Sequence, residues 1–298
     1  MKEQVPSKRI DTAVIPAAGF GTRFLPQTKA VPKEMLPIVD KPVIQFVVEE
    51  AVDSGIQHVV IVVNDGKEAI QNHFNAPSAD LINNLGASGK EDLIKELQRV
   101  SEMANFIYVK QKGPYGNGTP VLCAEPVVGE KTFAVMWGDE FIYSKPPRLS
   151  QMMGVYEQLG GAVISGVRIK RREDLARYGI ADVDLIGDHV FKIKSIIEKP
   201  DPDKAPSNMA THGAYILPPD IFEILKKQPL GKGGELWLTD GIGTLIKRGY
   251  PVYACEITNG EYFDTGNKLE YLITVVKFAM EHPEIGVQFR EFLKDIKA

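Results

Sequence analysis

Cysteine is almost missing from this chain. Cys123 and Cys255 are the only two, and they show no metal-ligand spacing. That excludes a disulfide framework and a thiolate metal site, and leaves both as small core residues of a reducing compartment. A long apolar run is missing too: nothing approaches the ~20 residues that a membrane helix needs. Met1 to Asp11 is charged and has no apolar centre, so it does not read as a signal peptide. A soluble, cytoplasmic protein is expected. Neither charge sign dominates. The net charge of −4 provides no broad basic face for nucleic acid, although it allows a local cationic pocket. The five histidines (His58, His73, His189, His212 and His282) form no ligand spacing and are given no role. Repeats, linkers and low-complexity tracts are absent. At 298 residues and 44% hydrophobic, the chain can build one large core.

Against these absences stands one dense segment. Residues 15 to 37 read Ile-Pro-Ala-Ala-Gly-Phe-Gly-Thr-Arg-Phe-Leu-Pro-Gln-Thr-Lys-Ala-Val-Pro-Lys-Glu-Met-Leu-Pro. An apolar stretch, Thr12 to Ala18, runs into a glycine turn that is followed by Arg23, Lys29 and Lys33. Gly19 and Gly21 allow close backbone approach to bulky oxygens, and their N–H groups can line up to bind an anion. Arginine grips phosphate bidentately, and lysine acts as a point charge. Pro26, Pro32 and Pro37 stiffen the loop by fixing φ and biasing the residue before each. The dinucleotide fingerprint would need a glycine where Phe24 stands, and no Walker A sequence occurs anywhere. A nucleotide polyphosphate fits the segment better than a dehydrogenase cofactor or a P-loop kinase site.

The rest of the chain alternates strand-like and helix-like runs. Strands are expected at Thr12 to Ala18, His58 to Val63, Phe106 to Lys110 and Thr132 to Trp137. Helices are expected at Val43 to Ser54, ended by Gly55, and at Lys67 to Phe74. This order implies a Rossmann-like, doubly wound, mostly parallel mixed sheet with ligands at the carboxyl ends of its strands. Residues 75 to 105 read as an insertion. Asn75 to Gly89 is expected as loop, and Asp92 to Met103 as a surface helix with Leu93, Leu97 and Val100 on one face. Beyond Trp137, strand-like runs at Gly161 to Arg168, Tyr178 to Asp184, Val190 to Glu198 and His212 to Leu217 have few helices between them and suggest an added antiparallel or mixed sheet. Helices follow at Pro219 to Lys227 and Thr239 to Arg248, then a strand at Val252 to Ile257, a long helix at Asn267 to His282 and a polar helical tail at Pro283 to Lys297. The whole is expected as one domain, with a nucleotide half over about 10–140, a sugar half over about 141–265 and a helical segment over about 266–298.

The early segment resembles the signature of the sugar-1-phosphate nucleotidyltransferases, in the form found in bacterial UTP-glucose-1-phosphate uridylyltransferases. The likeness continues in order through Asp40-Lys-Pro-Val-Ile-Gln45, Val121-Leu-Cys-Ala124, Pro126-Val-Val-Gly129, Glu198-Lys-Pro200, Leu238-Thr-Asp240 and Gly266-Asn-Lys-Leu269, and so covers most of the chain. The resemblance implies a nucleotidyltransferase, GT-A-like fold with C-terminal helices. It also implies transfer of the uridylyl group of UTP to α-D-glucose 1-phosphate, with Mg2+ as cofactor and pyrophosphate as the second product. A homodimer or homotetramer is expected.

Such a reaction needs positioning and charge neutralisation and no protein nucleophile. The resemblance assigns Arg23, Lys33 and Asp139 to catalysis, with Arg23 at the pyrophosphate end and Lys33 near the reacting phosphorus. It assigns Ala17, Ala18, Gly19, Gly21, Thr22, Gln111 and Gly116 to the nucleotide, with Gln111 and the Gly116 backbone reading uracil. Gly179, Glu198 and Lys199 fall to the sugar phosphate, and Asp139 with Asp264, in Tyr262-Phe-Asp-Thr-Gly266, to the metal. The sequence departs from the pattern at Gly138, where a proline is usual, at Glu140, which follows the first metal aspartate, and across Pro114, Tyr115, Asn117, Thr119 and Pro120. Asp182-Val-Asp184 and Asp201-Pro-Asp203 mimic a D-x-D metal motif but suit solvated strand-edge and turn positions. A thymidylyltransferase, a glycosyltransferase and a non-catalytic sugar-nucleotide sensor are the competing readings.

Overall fold

A computed structural model describes residues 9–296. Most of the charged Met1 to Asp11 stretch, and the last residue of the tail expected at 283–297, lie outside the described residues. Among the described residues the chain forms strands β1 (Thr12–Pro16), β2 (Pro37–Ile38), β3 (Lys41–Pro42), β4 (His58–Val63), β5 (Asn105–Lys110), β6 (Phe133–Met136) and β7 (Glu140–Ser144) in its first half. The second half adds β8 (Ala162–Arg168), β9 (Gly179–Gly187), β10 (Val190–Glu198), β11 (Met209–Leu217), β12 (Val252–Glu256) and β13 (Gly260–Asp264). Nine of these make one sheet in the order β5-β4-β1-β6-β11-β8-β12-β10-β9. Its β5-β4-β1-β6 side is parallel, while β11 runs antiparallel to both β6 and β8. β13 with β7, and β2 with β3, form two small antiparallel ribbons.

The periodicities explain these elements. β1, β4 and β6 are continuous apolar runs because helices cover both faces of the sheet. One core layer packs Ile15, Ile61 and Met136 with the helix Val43–Asp53; the other packs Val14, Val60 and Phe133 with the helices Asp220–Lys227 and Leu238–Lys247. Gly55 ends the first helix at φ 93°.

Four expectations change. Asn75 to Gly89 is not all loop: Ala79–Ala87 is helical, capped by Ser78, whose hydroxyl accepts from the Leu81 N–H. The next helix, Glu91–Glu102, buries Val100 but leaves Leu93 exposed, so its apolar stripe is narrower than its spacing suggests. A full helix, Arg148–Leu159, lies between β7 and β8, where few helices were expected. It is hidden from periodicity because a buried charge, Arg148, stands in its first turn. The strands of the second half also join the central sheet, so the small antiparallel additions are the two ribbons.

Candidate active site

β1, β4, β5 and β6 are parallel neighbours, so their carboxyl ends share one edge, where α/β sheets place ligands. Ala17, Ala18 and the glycine turn leave β1 there. The Ala17 N–H donates to Val62 O (2.8 Å), and Asn64 Nδ2 donates to Ala18 O (2.6 Å). Gln111 follows β5, its N–H donating to Val63 O (2.8 Å). Gly21 takes φ 64°, and its carbonyl accepts from Thr28 Oγ1 (2.7 Å). The loop beyond it winds into three short 3₁₀ turns, Thr22–Phe24, Gln27–Lys29 and Lys33–Met35, consistent with its prolines. Lys33 packs against both turn glycines: a Cβ on Gly19 would meet its Cε at 3.5 Å, and one on Gly21 its Cβ at 3.1 Å.

Lys33 Nζ lies 2.5 Å from Asp139 Oδ2. Desolvation lowers the pKa of this ammonium, but the Asp139 and Glu34 carboxylates outweigh it and hold the pKa above the ordinary lysine value. Glu34 is itself buried, with Lys67 Nζ at 2.7 Å. Burial pushes its pKa up although Lys33 and Lys67 pull the other way.

Asp264 ends β13. Its Oδ1 accepts from the Gly266 N–H (2.8 Å), and its Oδ2 from Arg177 Nη2 (2.7 Å). A Cβ placed on Gly266 would lie 3.0 Å from Asp264 Oδ1, 3.4 Å from Asp139 Oδ2 and 3.5 Å from Arg23 Nη1. Two carboxylates and a guanidinium therefore surround one point. Arg23 Nη1 also donates to Gly266 O (3.2 Å), and Thr265 Oγ1 to Asp139 O (2.6 Å). This oxygen-only pair suits a hard cation that keeps waters and phosphate oxygens as its other ligands. Among the described residues no group of three or more His, Cys, Asp or Glu is arranged to cage a metal.

Arg23, Asp139, Asp264 and Gly266 line a cavity of about 730 Å³. Gly179, Glu198 and Lys199 line it too. Glu198 Oε2 accepts from Thr239 Oγ1 (2.7 Å), and a Cβ on Gly179 would meet Thr211 Oγ1 at 2.8 Å and Glu198 Oε2 at 3.2 Å. Lys199 takes φ 45°, an uncommon conformation for a residue with a side chain, and its N–H donates to Tyr178 O (3.0 Å). This backbone turn after β10 is what brings neighbours Glu198 and Lys199 into one cavity. Lys199 Nζ lies 4.7 Å from the Trp237 ring centre.

The remaining candidates stand beside the cavity and are not among its walls. Lys33 reaches it through Asp139. Ala17, Ala18, Gly19, Gly21, Thr22 and Gln111 lie along the sheet edge. Gly116 (φ 125°) sits against Leu236, whose carbonyl a Cβ would strike. The Leu236 N–H donates to Tyr115 O and its carbonyl accepts from the Gly118 N–H, both at 2.8 Å. Phe20 and Tyr115, both exposed, approach to 6.1 Å and connect the glycine turn to this loop. Lys29 is exposed, away from the cavity walls. Lys194 pairs with Asp182 and Asp184, and Arg172 with Asp203, so neither D-x-D stretch faces the cavity.

Sequence reasoning missed several wall residues. Both tryptophans of the chain, Trp137 and Trp237, line the cavity, and their rarity was the available signal. Arg177 and His212 had none: the strand pairing that brings them to the site joins distant stretches. Tyr178 lines the cavity as well, and burial pushes its hydroxyl pKa up to about 12.

A family model described as Nucleotidyl transferase matches residues 12–280. UTP–glucose-1-phosphate uridylyltransferase YngB of Bacillus subtilis strain 168 is 42% identical over 289 residues, which is 97% of this chain and 96% of that one. A solved structure of UTP-bound UGPase from Acinetobacter baumannii superposes with a TM-score of 0.89 at 36% identity, covering 97% of this chain and 100% of that one. A UDP-glucose pyrophosphorylase complexed with UDP-glucose gives a TM-score of 0.84 at 35% identity, covering 92% and 100%. The protein belongs to the nucleotidyl transferase family.

Proposed function

We propose that the protein transfers the uridylyl group of UTP to α-D-glucose 1-phosphate, releasing UDP-glucose and pyrophosphate. The observation that carries this reading is that one cavity is lined both by Asp139, Asp264 and Arg23, which converge beside Gly266, and by Gly179, Glu198 and Lys199. An oxygen of the sugar phosphate attacks the α-phosphorus in line, and pyrophosphate leaves. Arg23 neutralises the leaving pyrophosphate. Lys33 Nζ, which pairs with Asp139, holds a phosphate oxygen near the reacting phosphorus. Lys199 binds the sugar phosphate, Glu198 and the space left by Gly179 receive the sugar, and Gln111 with the Gly116 backbone reads uracil. Asp139 and Asp264 fit Mg2+, which when bound supplies charge neutralisation on the phosphate oxygens.

One domain carries both halves on this reading, acting in the cytoplasm as a homodimer or homotetramer. No helix among the described residues is long and apolar enough to cross a membrane. The test is pyrophosphate release from a matrix of nucleoside triphosphates and sugar 1-phosphates with Mg2+. UTP with glucose 1-phosphate should give the highest kcat/KM. A preference for dTTP would make the protein a thymidylyltransferase, and no release from any pair would remove the enzymatic reading.

A further inference from the structure

Asp139 and Asp264 stand at one end of the same ribbon. β7 and β13 pair so that Asp264 lies opposite Glu140, the residue directly after Asp139. This ribbon is separate from the nine-stranded sheet, so something must fix its distance from the glycine turn.

The Glu140 carboxylate has partners on both oxygens. Its Oε1 lies 3.0 Å from His212 Nδ1, and its Oε2 accepts from Tyr262 Oη (3.0 Å). His212 belongs to β11 in the central sheet and is only 3% exposed. Its other nitrogen, Nε2, is buried without a partner, so the ring's one hydrogen bond is to Glu140. Arg148 approaches from a third side. It is fully buried, and Nε and Nη2 each donate to Glu50 at 2.9 Å. Its Nη1, which has no hydrogen bond, and Glu140 Oε1 crowd the same side of Gly213, where a Cβ would collide with both. Gly213 (φ 73°) has none, which lets the guanidinium come near the carboxylate.

We infer that Glu140 is a positioning residue and not a third metal ligand: it ties the ribbon bearing Asp139 and Asp264 to the central sheet through His212. The inference rests on the proposed metal role of the two aspartates. Turning Glu140 to a cation would break its bonds to His212 and Tyr262 and take a compensating charge away from the buried Arg148, which is costly. Keeping it in place fixes the ribbon and so the spacing of the two carboxylates.

Mn2+ binding in the presence of UTP, without sugar phosphate, tests this; free Mn2+ is read by electron paramagnetic resonance. Tyr262→Phe removes the carboxylate's partner within the ribbon and His212→Leu its partner on the central sheet, and both leave the Glu140 carboxylate in the protein. Each should weaken Mn2+ binding about tenfold, the range seen when outer partners of a metal site are lost. Glu140→Gln should weaken it by a similar factor, and the Glu140→Gln/Tyr262→Phe double variant no more than Glu140→Gln alone. Wild-type affinity in His212→Leu beside a large loss in Glu140→Gln would make Glu140 a ligand and overturn the inference. Wild-type affinity in all variants would overturn it as well. Urea unfolding checks that each variant folds, and His212→Phe, which keeps a ring in the same space, decides the matter if His212→Leu does not. If the wild-type protein with UTP binds no Mn2+, the metal reading has failed, an outcome distinct from loss in the variants alone.

Discussion

Lys33 Nζ lies 2.5 Å from Asp139 Oδ2, which joins the loop after β1 to the residue beyond β6. The two strands are parallel neighbours, so their carboxyl ends meet although 106 residues separate the pair. The contact links the phosphate loop to a proposed metal carboxylate.

Lys33→Met should lower kcat by at least ~10²-fold, the usual cost of losing one preorganised charge at a reacting centre. It should also change the pH dependence of stability. The folded-state pKa of Lys33 is raised, so its contribution is fully present below the ordinary value of 10.5 and is lost as pH rises through the higher folded value. Urea unfolding of both proteins should give a constant stability gap at neutral pH that narrows only above about pH 10.5. A gap that closes near neutrality would contradict the pairing.

Gly116→Ala should weaken UTP binding. Its φ of 125° is strained for alanine, and the added methyl would strike the Leu236 carbonyl. Strain of this kind costs ~1–3 kcal/mol, or roughly 5- to 150-fold in an equilibrium constant. Calorimetric titration with UTP measures it. Unchanged affinity together with unchanged stability would remove this loop from the nucleotide site.

Lys199→Ala should leave UTP affinity intact and weaken glucose 1-phosphate binding by ~10- to 100-fold, the scale of a lost charged hydrogen bond. Equal affinity for the sugar phosphate in a titration of the UTP-saturated protein would refute the role given to Lys199.

Glu50→Gln should destabilise the fold by about 3–5 kcal/mol, because the fully buried Arg148 would lose its ionised partner. The urea midpoint reports it. Pairing the change with Arg148→Met should recover part of the loss. Stability unchanged by the single substitution would mean that Glu140 alone suffices for Arg148.

Much of this was readable in the sequence, for identifiable reasons. The strands announce themselves as β-branched runs: the buried parallel His58–Val63 and the half-exposed antiparallel Val190–Glu198 both have the expected bounds. The phosphate loop is legible because its glycines, prolines and cations are contiguous. The helix Arg148–Leu159 is not, because a buried arginine breaks its apolar pattern. Nor is the place of His212, since Glu140 lies 72 residues away and only the pairing of β11 with β6 brings the two together. That a strand end before proline can turn both neighbours toward one pocket is legible in Glu-Lys-Pro, and the left-handed turn at Lys199 is how it does so.

The most direct measurement is a crystal structure with UTP and Mg2+. The triphosphate should lie against the Gly19–Gly21 turn, with Arg23 and Lys33 on its oxygens and the metal between Asp139 and Asp264. UTP bound elsewhere, or a turn left empty with Arg23 and Lys33 directed into solvent, would contradict the account.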